Sequence, residues 1–155
     1  MTDPIYTPQN GTRLHDFTLP DETRKPRQLR DLPGDNGLLL AFIQGTWCSP
    51  CIQTLYFLAK QSQSIRALGV NIAVVAIDEP HTLDAFRRTA SLPLNYTILA
   101  DEAQTVRRAY GLLGEEIYFL TDSALNLHAQ FLNTAGQNRP TPTMLAEAIR
   151  THLIE

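Results

Sequence analysis

Six consecutive apolar residues, Leu38-Leu39-Leu40-Ala41-Phe42-Ile43, leave this chain few folds to choose from. They follow a dense turn signal, Pro33-Gly34-Asp35-Asn36-Gly37, and offer no polar side chain to water. Such a run is a strand buried on both faces, at the centre of a sheet covered from either side. Directly after it stands Gly45-Thr46-Trp47-Cys48-Ser49-Pro50-Cys51, which holds both cysteines of the chain. From Pro50 to Leu68 the residues Cys51, Leu55, Leu58, Ile65 and Leu68 recur at spacings that mostly fit one helical face, and Gly69 closes the pattern as a C-cap would.

The order is therefore strand, tight turn, helix, with the helix opening at Cys48. A thiol there meets unpaired backbone N–H groups and the positive end of the helix dipole, which favour a thiolate. Cys51 lies on the same helical face, one turn deeper. The chemistry this spacing predicts is cysteine redox chemistry. The alternative is a pair of small buried hydrophobes with no redox use.

A chain of 155 residues, 43% apolar and 19% charged, is expected to fold as one globular unit. The division expected is an irregular lead-in over 1–13, rich in proline and turn residues, and a single domain over 14–155. A net charge of −3 gives no footprint for nucleic acid or an anionic membrane. The short basic stretch Arg24-Lys25-Pro26-Arg27 reads as a solvated turn. No apolar run approaches the roughly 18 residues of a membrane span. Met1 to Pro8 has neither the basic start nor the apolar core of a secretory leader, so the expected location is cytoplasmic. A C-x-x-C pair in a reducing compartment reads as a redox pair rather than a structural disulfide. No metal is expected: a structural zinc site needs four ligands, and His15, His81, His128 and His152 show no ligand spacing. No glycine-rich loop follows a strand, so no nucleotide or flavin cofactor is expected.

The remaining pattern predicts short strands at Phe17–Leu19 and Arg27–Leu29, and a second buried strand over Asn71–Ile77. Helices are expected over Thr82–Ala90, with Leu83 and Phe86 inward, and from an Asp101 N-cap to Tyr110. A short strand at Tyr96–Leu99 precedes the second of these. Ile117–Thr121 and Leu127–Phe131 read as a hairpin. Thr141-Pro142, an N-cap followed by proline at the first helical position, starts a last helix that runs through Met144, Leu145, Ala148, Ile149 and Leu153. Alternating strands and helices with a terminal hairpin predict an α/β fold, one mixed sheet with helices on both faces and a short N-terminal strand pair.

Together, Phe17-Thr-Leu-Pro-Asp, the Leu38–Ile43 strand, Gly45-Thr-Trp-Cys-Ser-Pro-Cys, Leu68-Gly-Val-Asn-Ile-Ala-Val-Val-Ala-Ile-Asp and Tyr118-Phe-Leu-Thr-Asp closely resemble thioredoxin-fold proteins of the AhpC/TSA and TlpA-like redoxin group. The resemblance runs from about Leu14 to Phe131. It implies a thioredoxin-like fold and a thiol–disulfide oxidoreductase in which Cys48 attacks and Cys51 resolves. The implied partners are a protein or small-molecule disulfide, or a peroxide, with a thiol reductant as electron donor. Trp47 is then part of a partner-docking surface or else core packing, and Pro50 constrains the turn in the first helical positions.

Two departures from the group keep other readings open. The peroxiredoxin pattern Pro-x-x-x-Thr/Ser-x-x-Cys falls on Gln44, Cys48 and Cys51, matching only the last, so the alternative enzyme is a peroxide reductase with Cys51 as peroxidatic thiol. Related proteins carry a cis-proline or an arginine just before the strand at Ile117, where this chain has Gly114-Glu115-Glu116. Glu116 there either opposes thiolate formation at Cys48, accepts the Cys51 proton, or points into water with its loop. Loss of the cis-proline also motivates a third reading, a non-catalytic binding module. Asp78-Glu79, at the carboxyl end of a buried strand, is read either as functional or as helix-capping.

Overall fold

The computed structural model describes residues 7–112, 114–134 and 138–154; residues 1–6 of the expected lead-in lie outside these. The central element is β3 (Gly37–Phe42), every residue of which is buried. It pairs in parallel with β4 (Val70–Ala76) and antiparallel with β6 (Glu116–Thr121). With β5 (Thr97–Ala100) and β7 (Leu127–Asn133) the sheet order is β5-β4-β3-β6-β7. The strands β1 (Thr18–Pro20) and β2 (Pro26–Gln28) form a separate antiparallel pair, as expected.

Strand alternation divides the core in two. Leu39, Ala41 and Ile43 face α1 (Ser49–Ala67), α2 (Pro80–Thr89) and α4 (Pro142–Ile149), through Leu55, Leu58, Leu83 and Leu145. Leu38, Leu40 and Phe42 face α3 (Thr105–Ala109) and the N-terminal segment, through Val106, Tyr110, Leu14 and Leu29. Each leucine of β3 is wholly buried, which contributes about 1.5–3 kcal/mol per side chain. Gly69 follows the Leu68 C-cap at φ +80°, a conformation glycine adopts without cost.

One expectation needs correction. Asp101 is not the α3 N-cap: that position is Gln104, in a left-handed conformation, and the helix is correspondingly short. The Asp101 carboxylate caps from farther back, accepting the N–H groups of Val106 at 3.2 Å and Arg107 at 2.8 Å. In α4 the Thr141 hydroxyl accepts the Met144 N–H, at 3.1 Å, as an N-cap should, and the Met144 side chain is exposed. A π-helical turn over Arg150–Ile154 follows, none of whose residues is fully buried.

Candidate redox site

The turn from β3 into α1 stands at the carboxyl end of the central strand. Thr46 donates its N–H to Asp78 Oδ2 at 2.7 Å, so the acid after β4 props the turn after β3. Glu79 is the N-cap residue of α2 but makes no side-chain capping bond. A Cβ on Gly45 would lie 2.5 Å from Trp47 Nε1 and 2.9 Å from Asp78 Oδ1, so a larger residue there would push both side chains aside. Trp47 lies over this glycine and is 66% exposed, which removes core packing as its role.

Cys48 is the N-cap of α1, with extended backbone, and Pro50 occupies the first helical turn. The Cys51 N–H donates to Cys48 Sγ at 3.3 Å, so the sulfur stands where a serine or aspartate oxygen caps most helices. Cys48 is half-buried, whereas Cys51, one turn deeper, is only 3% exposed. Burial, and then the neighbouring Cys48, push the Cys51 thiol up to about 11, against a smaller downward pull from the Gly45 and Gln44 backbone. The motif therefore holds two unlike thiols, one reachable and one enclosed.

Both cysteines open into a cleft of about 270 Å³, whose far wall is Gly114, Glu115, Glu116 and Asn133. Gln44 spans it, donating from Nε2 to the Gly114 carbonyl at 2.9 Å. Glu116 does not point into water with its loop. Its Oε1 accepts from the Thr54 hydroxyl at 2.7 Å, and its Oε2 accepts from Tyr118 at 2.7 Å and Asn133 at 2.6 Å. Thr54 in turn accepts from Arg139, whose Nη2 is 2.8 Å from Oγ1 and also reaches the Pro50 carbonyl at 3.3 Å. Burial, and then the Glu116 carboxylate, hold the Tyr118 phenol well above its ordinary range.

The sequence reading missed Arg107. Its side chain is 1% exposed and donates to the carbonyls of Ile43 and, at 3.4 Å, Glu115, while its Nε is buried without a hydrogen-bond partner. Its guanidinium lies 5.9 Å from the centre of the Phe42 ring. Burial lowers its pKa, with Asp101, Glu115 and Cys51 acting in the opposite sense. The available signal was an arginine at helical spacing from Tyr110, on a face that must turn inward. A second, wider groove of about 410 Å³, at the β4–β5 edge, has no cysteine in its lining. Its Arg66 and Arg87 are held by the carbonyls of Asn95, Leu94 and Tyr96. Among the described residues no three His, Cys, Asp or Glu side chains converge as metal ligands.

The chain is 29% identical over 143 residues to the thiol-disulfide oxidoreductase ResA of Geobacillus thermodenitrificans, covering 92% of this chain and 75% of that protein. It is 26% identical over 102 residues to peroxiredoxin Bcp of Escherichia coli, covering 66% of this chain and 64% of that protein. The crystal structure of peroxidoxin BcpB from Mycobacterium tuberculosis superposes with a TM-score of 0.77 at 19% identity, over 93% of this chain and 96% of that one. The fold is thioredoxin-like, as the sequence predicts. The sequence matches the AhpC/TSA family across residues 10–144, nearly the whole chain, and the protein belongs to that family.

Proposed function

We propose that this protein is a thiol–disulfide oxidoreductase in which Cys48 attacks and Cys51 resolves. The observation that carries the reading is the asymmetry of the pair: a half-buried Cys48 sulfur receiving the Cys51 N–H, against a Cys51 sulfur enclosed and held as thiol. The Cys48 thiolate attacks one sulfur of a partner disulfide. A bond forms from Cys48 to that sulfur, the partner S–S bond breaks, and the departing thiolate takes a proton from water. Cys51 then gives up its proton, and its thiolate attacks the Cys48 sulfur. The second partner thiolate leaves, and the Cys48–Cys51 disulfide holds the oxidising equivalents. Two electrons have passed to the partner, and an external thiol returns them to the pair by the same two steps.

The substrate is a disulfide on a protein or small molecule, as suits the oxidoreductase relatives. Glu116 is not the proton acceptor for Cys51 in this scheme, because its two oxygens are already engaged by the Thr54 hydroxyl, the Tyr118 phenol and the Asn133 amide. Solvent entering the cleft takes the Cys51 proton instead. The peroxiredoxin relative favours a second reading. There the Cys51 thiolate attacks a peroxide oxygen, becomes a sulfenic acid and releases an alcohol or water. The Cys48 thiol then condenses with that sulfenic acid, with loss of water.

Separate Cys48→Ser and Cys51→Ser variants distinguish the two. Turnover of hydroxyethyl disulfide with dithiothreitol is expected to vanish in Cys48→Ser. Loss of peroxide consumption confined to Cys51→Ser would support the peroxidase. Wild-type behaviour of both variants in both assays would reject enzymatic function and leave a binding module.

A further inference from the structure

The wall that faces the two cysteines carries the charge of their cleft. Glu115 and Glu116 line it together with Cys48 and Cys51, and among the described residues the lining holds no lysine, arginine or histidine. Three successive residues of that wall are held in place. Gln44 Nε2 grips the Gly114 carbonyl at 2.9 Å, Arg107 Nη1 reaches the Glu115 carbonyl at 3.4 Å, and Thr54, Tyr118 and Asn133 fix the Glu116 carboxylate. The donors on Glu116 are a hydroxyl, a phenol and an amide, which orient its oxygens without cancelling their charge.

We infer that the site selects disulfides bearing a cationic group close to the sulfur, an ammonium or guanidinium on a short arm, over neutral and anionic ones. The inference rests on the exchange reading, because it concerns what Cys48 attacks. A disulfide that reaches the Cys48 sulfur brings its substituents into the cleft of about 270 Å³ between the start of α1 and the acidic wall. Clefts lined by charge of one sign focus their field, and charges within them interact more strongly than in bulk water. A cationic arm is therefore drawn towards Glu115 and Glu116, and an anionic arm is repelled by them.

The neighbouring charges do not reverse this sign. Arg107 is 1% exposed and spends its donors on the carbonyls of Ile43 and Glu115. Arg139 is outside the lining, donating from Nε and Nη2 to the Thr54 hydroxyl with its guanidinium 5.5 Å from the centre of the Phe57 ring. The N-terminus of α1 favours anions, but its Cys51 N–H is already turned to the Cys48 sulfur. Asp78, which props the turn through the Thr46 N–H, adds a further negative charge.

The test compares three small disulfides as oxidants of the reduced wild-type protein: cationic cystamine, neutral hydroxyethyl disulfide and anionic dithiodiglycolate. Each second-order rate is divided by that of the same disulfide with 2-mercaptoethanol, which removes the reactivity of the disulfide itself and the charge of the attacking thiolate. At about 0.02 M ionic strength the normalised rates are expected to favour cystamine over dithiodiglycolate about tenfold, with hydroxyethyl disulfide between them, and about 0.5 M salt to cut the preference to about threefold or less. Glu115→Gln is expected to lower the cystamine-to-dithiodiglycolate ratio about threefold. Equal normalised rates in the wild type, or a preference for dithiodiglycolate, overturn the inference, while oxidation by hydroxyethyl disulfide keeps the exchange reading standing. So does a wild-type preference that folded Glu115→Gln and Glu116→Gln proteins both retain in full. Should neither variant fold, the salt dependence in the wild type decides. Failure of all three disulfides to oxidise the cysteine pair rejects the exchange reading, and this inference with it.

Discussion

Glu116 and Arg107 bring opposite charges to one cysteine pair, from β6 and from α3 on the opposite face of the sheet, and their surroundings differ in kind. Glu116 is served entirely by side chains: Thr54 of α1, Tyr118 of β6 and Asn133 of β7 all donate to it. Arg107 serves backbone, donating to the carbonyls of Ile43 and Glu115 and keeping one buried N–H without a partner. The carboxylate is thus the hub of a closed network, and the guanidinium is a clamp on the two segments that shape the cleft. Removing a hub leaves stranded donors that can rearrange. Removing a clamp leaves stranded carbonyls in the segments that shape the cleft.

The largest expected effect concerns the unlike thiols between these charges. With Cys51 raised from 9.0 to about 11, its thiolate fraction grows tenfold per pH unit through the neutral and mildly alkaline range. Stopped-flow measurement of the resolving step should rise about tenfold per pH unit above pH 7 and level off somewhat below 11, because Cys48, held in the mixed disulfide, no longer adds its charge. The same shift has a stability counterpart. Between pH 9 and 11 the unfolded chain releases a Cys51 proton that the folded chain keeps, so the reduced protein is expected to lose stability across that window. The contribution is complete below pH 9. Burial raises the Tyr96 and Tyr118 phenols as well and extends the loss to higher pH.

The clamp should matter more to stability than the hub. Arg107→Met strands two carbonyls and is expected to cost about 2–3 kcal/mol in denaturant unfolding. Glu116→Gln keeps one acceptor oxygen but turns an NH₂ group towards donors, for about 1–2 kcal/mol. An Arg107→Met protein as stable as Glu116→Gln would erase the distinction between them. The smallest effect is at the rim, where Arg139→Ala loses its bonds to Thr54 and Pro50 and is expected to cost about 0.5–1 kcal/mol. A drop in exchange rate with that variant, at unchanged fold, would extend the Glu116 network into function.

The strand and motif were legible because local signals agreed. Leu38–Ile43 has one use in a fold of this size, and Cys48, Pro50 and Gly69 mark the start and stop of α1. The start of α3 was not legible, because Gln104 takes a left-handed conformation that nothing in Asp101–Thr105 announces. Arg107 was missed for a different reason: its burial depends on the Ile43 carbonyl, 64 residues away in sequence. Glu116 was found only as a departure from a pattern. Its partners Thr54 and Asn133, 62 residues before it and 17 after, converge on it only once the sheet and α1 are packed.

The central claim is the division of labour between Cys48 and Cys51, and mixed-disulfide trapping addresses it most directly. The Cys51→Ser protein, treated with hydroxyethyl disulfide and mapped by peptide mass spectrometry, is predicted to accumulate an adduct on Cys48, while Cys48→Ser gives none on the enclosed Cys51. An adduct forming on Cys51 in the Cys48→Ser protein, with none on Cys48 in its counterpart, would contradict the account.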